Sequence, residues 1–210
     1  MLSKKAVLFD SVPLYPNQLP TWISSYVKSM GYNISQHAVI LISENIGNDL
    51  SRITKELKKL VVNLNDRKDI NIDDIEKYIG ISKEFNVFEL QNALGKKNVL
   101  KANRIINYFI QNPKENPLIQ VLSILNGFFI KLILYHTIKN KSNRNEVAST
   151  LSVSPFFLDD YKLAAQNYSL TKLIKIIGYL READLKSKGI DQSTKNDEGI
   201  FKELIYKIIH

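Results

Sequence analysis

Ile46-Gly47-Asn48-Asp49-Leu50-Ser51-Arg52-Ile53-Thr54-Lys55-Glu56-Leu57-Lys58-Lys59-Leu60 sets a helix stop, a helix start and an amphipathic helix in one unbroken run. Glycine reaches the left-handed backbone region without a Cβ clash, so Gly47 ends the preceding helix, and the Asn48 side chain is expected to cap the N–H groups of the next one. Leu50, Ile53, Leu57, Leu60 and Val61 then recur at helical spacing and leave Arg52, Lys55, Glu56 and Lys59 toward water. The chain is thus read as helix following helix with almost no spacer.

Working outward, Gln18 to Met30 reads as a helix stopped by Gly31, with Trp22, Ile23, Tyr26, Val27 and Met30 on one stripe and Trp22 in the core. Ser35 caps a helix through Asn45, and Asn71 caps Ile72 to Ile79, where Asp73 and Asp74 favour the positive end of the helix dipole. Lys4 to Phe9 is β-compatible but has no partner strand in a helical chain, so residues 1–16 read as the edge of a preceding domain, with Pro13 and Pro16 stiffening the connection. Residues from about Asn17 to Gly80 then form a four-helix unit, and Gly80 to Glu84 is the expected hinge.

Residues 81–210 give helices near Val87–Leu94, Val99–Asn112, Pro117–Lys139, Asn145–Leu151, Pro155–Asn167, Ser169–Lys188 and Asp197–Ile209. The breaks fall at Gly95, Asn112-Pro113, Lys139 to Asn143, Ser152 to Pro155 and Gly189 to Asn196. Neither a strand hairpin nor a solenoid repeat is legible, so the expected class is all-α. Gly178 sits in mid-helix at a cost of up to ~1 kcal/mol relative to alanine, which points to a close helix–helix approach there. The longest apolar run, Pro117 to Ile138, is interrupted by Gln120, Asn126, Lys131 and His136 and reads as a buried core helix rather than a membrane span.

The net charge of +8 is uneven: ten basic residues face nine acidic ones up to Ile79, and nineteen face twelve from Gly80 on. Such an excess is compatible with a nucleic-acid neighbour, but lysines spread over helical faces chiefly solvate them, so DNA contact is expected to be indirect or weak. The chain has no cysteine, which excludes disulfides, thiol nucleophiles and Cys-ligated zinc and suits a reducing cytoplasm. The first residues lack the apolar core of a signal peptide.

Catalytic chemistry finds no foothold. There is no G-x-x-x-x-G-K-[ST] phosphate loop and no G-x-G-x-x-G; Leu94-Gly95-Lys96-Lys97 is a helix end followed by basic residues. His37, His136 and His210 stand without partners at metal-ligand spacing, so no metal and no cofactor are expected. Asp73-Asp74 and Asp159-Asp160 are adjacent pairs at helix starts, pointing about 100° apart, and read as structural caps. Glu146 to Leu158 resembles a helix-turn-helix, and a basic DNA-binding regulator with that unit at 145–167 is the rival reading; Phe156, Phe157, Leu158, Asp159 and Asp160 at the start of its second helix are unsuited to phosphate or base contact. A structural helix corner is the preferred reading.

Five further stretches belong together: Lys5-Ala6-Val7-Leu8-Phe9-Asp10, Pro13-Leu14-Tyr15, Leu19-Pro20-Thr21-Trp22-Ile23, Phe88-Glu89-Leu90 and Glu182-Ala183-Asp184-Leu185-Lys186-Ser187-Lys188. In that order and spacing the chain resembles the delta subunit of the bacterial DNA polymerase III clamp loader, over nearly its whole length but beginning where that family's first domain is ending. The resemblance implies a small helical lid domain of the AAA+ type over 1–80 and a helical collar, or post-AAA+ oligomerisation, domain over 81–210. It implies a cytoplasmic, non-catalytic DNA replication subunit that assembles with the other loader subunits through the collar, so that the sliding clamp is loaded onto primed DNA for the polymerase III holoenzyme. The sliding clamp would be touched only by the domain upstream of Met1, and no membrane is involved. Within the collar reading, Pro117–Lys139, Ser169–Lys188 and Asp197–Ile209 carry more apolar surface than one small bundle covers, which makes Leu173, Ile177, Leu180, Phe201, Ile205 and Ile208 the candidate subunit interface.

Overall fold

The computed structural model describes residues 14, 15, 18–190 and 197–210. The reading of Lys4 to Phe9 as an extended edge, and of Pro13 and Pro16 as a stiff connection, lies outside the described residues. The chain divides into two compact units, the first running to Ile79 and the second from Gly80 onward. The described residues are all-α apart from one two-residue parallel strand pair.

In the first unit, α1 (Leu19–Ser29), α2 (Gln36–Ile46) and α3 (Leu50–Val62) bury Leu19, Ile23, Val27, Ile42, Ile53, Leu57 and Leu60. Gly31 adopts φ 82°, and Tyr32 N–H donates to Val27 O at 3.2 Å, so the glycine closes α1 as its position demands. Trp22 is only half-buried and stacks on Tyr26, ring centroids 5.3 Å apart; Leu19, rather than Trp22, completes the core stripe. Gly47 has φ 68°, but the cap of α3 falls one residue later than Asn48. Asp49 accepts from Arg52 N–H at 2.9 Å, and Asn48 instead donates through Nδ2 to Leu14 O at 2.9 Å. The capping side chain belongs to the residue just before the first helical one, and with α3 beginning at Leu50 that residue is Asp49.

Strands β1 (Asn33–Ile34) and β2 (Asp69–Ile70) pair in parallel, Asn33 opposite Asp69 and Ile34 opposite Ile70. Two residues carry no periodicity, which is why the sequence does not announce them. The helix expected over Ile72 to Ile79 is one α-turn, α4 (Ile72–Asp74), followed by a π-helical stretch over Ile75–Ile79. Its start is held by a reciprocal box: Asp74 N–H donates to Asn71 Oδ1 at 3.1 Å and Asn71 N–H to Asp74 Oδ2 at 2.9 Å. Asp74 is buried and also pairs with Arg67, whose guanidinium this carboxylate holds above its ordinary pKa.

The second unit runs α5 (Val87–Gly95), α6 (Val99–Gln111), α7 (Leu118–Thr137), α8 (Arg144–Leu151), α9 (Leu158–Asn167), α10 (Leu170–Ser187) and α11 (Asp197–Ile209). A 3-10 turn over Pro155–Phe157 precedes α9, because proline fixes the first turn while Ser154 accepts from Phe156 N–H. Asn86, Asn98, Asn143 and Ser169 each accept a backbone N–H at the start of α5, α6, α8 and α10. By length and composition α7 is apolar enough to cross a membrane. In this fold it is the central helix, packed against α5, α8, α9 and α10 with Val121, Leu125, Phe128, Phe129 and Leu132 buried.

Gly95 is the last residue of α5 rather than a break after it. A Cβ there would stand 3.1 Å from Ala164 Cβ, so the close helix approach of this unit is between α5 and α9. Gly178, where sequence pointed to such an approach, has no heavy atom within 4 Å of its would-be Cβ. The chain turns after α5 at Lys97, which takes φ 53°.

Candidate subunit-association surface

The six expected interface residues are brought together, but inside the chain. Leu173, Leu180, Phe201, Ile205 and Ile208 are buried in the hydrophobic core of the second unit, and Ile177 is partly buried against it. The reason lies in α11, whose apolar stripe packs on α10 and α6, with the Phe201 ring 6.2 Å from that of Phe109. The stripe that looked too wide for one bundle is covered by α6, so these six side chains support a surface rather than form one.

Four charges lock α11 to α10. Lys186 Nζ lies 2.8 Å from Glu182 and 2.9 Å from Glu203, and Lys207 Nζ lies 3.0 Å from Glu182 and 2.6 Å from Glu203. The hydrogen bonds from the two ammonium groups hold both carboxyls below their usual range, and the carboxylates hold both lysines above theirs. Lys172 Nζ donates to Lys207 O at 3.1 Å, adding a cap on the last turn of α11. Sequence spacing shows the two i,i+4 pairs, Glu182–Lys186 and Glu203–Lys207; the cross-links Lys186–Glu203 and Lys207–Glu182 that join the helices are invisible without the packing.

What remains open is found on the opposite flank of α10 and the outer face of α7. On α10, Ile174 is 61% exposed, Leu170 and Gly178 are exposed, and Ile177 and Leu185 are half-buried beside them. On α7, Ile119 (55%) and Ile130 (48%) are exposed with Ser123 and Leu134, at intervals that keep them on one side of the helix. The two helices run antiparallel: His136 Nε2 near the end of α7 is 2.9 Å from Tyr168 O just before α10. These exposed positions escaped sequence reading because a helix that is apolar nearly all round does not disclose which side its own chain will cover.

The remaining candidates occupy structural places. Arg144 forks onto Asp159 at 2.8 and 3.3 Å and donates to Pro155 O, which holds the Asp159 carboxyl below its ordinary range; Asp160 lies 3.6 Å from Lys96. Val147, Ala148, Leu151, Leu158 and Tyr161 send the α8–α9 corner into the core. His37 is exposed, and the His210 ring lies tilted against that of Tyr206, centroids 4.7 Å apart. Among the described residues no group of three or more His, Cys, Asp or Glu side chains could hold a metal ion.

Residues 84–208, the span of α5 to α11, match the family model for the DNA polymerase III delta subunit, C-terminal domain. The chain is 28% identical over 177 residues to DNA polymerase III subunit delta of Bacillus subtilis, covering 84% of this chain and 48% of that protein. It is 25% identical over 170 residues to the probable DNA polymerase III subunit delta of Aquifex aeolicus, covering 80% and 48%. The chain therefore spans about half the length of the curated relatives it matches. In fold it is similar to the solved DNA clamp loader delta protein of Bacillus subtilis, with a TM-score of 0.65 at 20% identity over 99% of this chain and 60% of that one.

Proposed function

The chain belongs to the DNA polymerase III delta subunit family, and from that premise we propose that it is the assembly portion of a clamp-loader delta subunit acting in DNA replication. Residues 1–80 serve as the AAA+ lid-type domain and 81–210 as the collar, which joins the other loader subunits so that the sliding clamp is loaded onto primed DNA for the polymerase III holoenzyme. The observation that carries this reading is the family match over 84–208, which takes in every helix of the second unit. Clamp contact is assigned to the domain that precedes these residues in the family. The subunit is non-catalytic, cytoplasmic and without a cofactor, and its dealings with DNA are indirect or weak.

In this reading the exposed faces of α7 and α10 meet the neighbouring subunits, while Leu173, Ile177, Leu180, Phe201, Ile205 and Ile208 back them from inside. A helix-turn-helix role at 145–167 is not favoured, because both helices spend their apolar faces on the core and the acids of α9 are paired. Co-purification tests the proposal: the tagged chain, mixed with the other clamp-loader subunits, is expected to enter their complex in stoichiometric amount. Absence of the folded chain from the complex overturns it.

A further inference from the structure

Gly178 occupies the middle of an 18-residue helix, where glycine is less favourable than alanine, and nothing among the described residues accounts for it. Its φ is not positive, and a Cβ there would meet open space, so neither backbone strain nor internal packing requires glycine. One turn before it stands exposed Ile174, with Leu170 exposed a further turn back. At i−3 and i+3 stand Lys175 and Arg181, both exposed and, among the described residues, in no ion pair. Glu182 at i+4 does not offset them, because it is occupied by Lys186 and Lys207.

Resting on the assembly reading above, we infer that Gly178 is the crossing point for a helix of a neighbouring clamp-loader subunit, one that lays an apolar stripe along Ile174 and Leu170 and sets carboxylates beside Lys175 and Arg181. Three observations select this occupant. A residue without a side chain lets two helix backbones approach closely, as Gly95 and Ala164 do within the chain itself. The apolar flank of Ile174 and Leu170, with Ile177 and Leu185 half-buried beside it, favours a partner helix over a phosphate backbone, which would leave that flank in contact with charge. The two uncompensated cations on either side of the glycine set the sign of the partner.

The test uses the 210-residue chain, the other loader subunits and three variants. Gly178→Ala is expected to raise the Tm by roughly 2–4 °C, since it gains helix propensity without a clash. Gly178→Leu is expected to keep the wild-type circular dichroism yet weaken association at least tenfold, and Lys175→Glu with Arg181→Glu to do the same with a reduced dependence on salt. A folded Gly178→Leu chain that associates like the wild type overturns the inference and leaves the assembly proposal standing. Failure of the unmutated chain to associate overturns both. A variant that loses duplex DNA binding or self-association while keeping the other subunits also overturns the inference, since the face then belongs to a different occupant.

Discussion

Ala164 Cβ stands 3.1 Å from the place where a Cβ would sit on Gly95, and this contact fixes how closely α9 approaches the end of α5. A larger side chain at Gly95 must push that helix pair apart. Gly95→Val is expected to lower stability by about 1–3 kcal/mol through overpacking. Adding Ala164→Gly should recover part of the loss, and chemical denaturation of the two single variants and the double variant measures the coupling.

The same corner is held by a hydrogen bond from the Tyr168 hydroxyl to Leu94 O at 2.8 Å, with Asn167 Nδ2 donating to Gly95 O at 2.8 Å. Tyr168 is fully buried, and burial pushes its phenol well above the ordinary tyrosine range, so the hydroxyl stays a donor at any working pH. Tyr168→Phe removes the donor and leaves Leu94 O with the backbone N–H of Lys97, at 2.9 Å, as its remaining partner. The expected cost is about 0.5–1.5 kcal/mol, that of one hydrogen bond, read from the denaturation midpoint.

These two contacts show how far the sequence reaches. The helices of the second unit are legible because their starts carry Asn86, Asn98, Asn143 and Ser169, and each of these side chains does accept a helix N–H. The glycines divide differently. Gly31 and Gly47 are read correctly as stops because a positive φ is a local property. Gly95 and Gly178 are less legible because close approach is a property of two helices, and only the packing says that Gly95 has a neighbour within the chain while Gly178 has none among the described residues. The candidate interface fails for the same reason: Ile205 and Ile174 are alike in sequence, yet the first is covered by the chain's own core and the second is open.

The α10–α11 charge square makes a pH prediction with a definite sign. Glu182 and Glu203 have folded pKa values below their unfolded ones, so their contribution is present above the usual glutamate range and is lost as pH falls through the depressed values. Lys186 and Lys207 have raised values, so theirs is full below the usual lysine range and is lost as pH rises through the folded values. Both glutamates are more than a third exposed, which screens the interaction to below about 1 kcal/mol per pair. Amide exchange in α11 is expected to quicken relative to α7 on acidification and at high salt. Equal protection of the two helices across the acid range would contradict it.

A matched pair of substitutions separates support from surface. Ile205 is 1% exposed, and Ile205→Glu places an uncompensated carboxylate in the core against α6 and α10; a loss of about 3–5 kcal/mol follows, enough to unfold the second unit. Ile130 lies on the outer side of α7, and Ile130→Glu changes little within the chain, so its Tm should match the wild type within about 2 °C, as surface changes of under ~0.5 kcal/mol do. If the outer face of α7 joins a neighbouring subunit, the same variant should lose about 2 kcal/mol or more of association, because the charge is buried there without a partner. Thermal melts and co-purification of both variants distinguish the cases: a folded Ile130→Glu chain recovered at wild-type yield removes α7 from the association surface, and a stable Ile205→Glu chain contradicts the packing of α11.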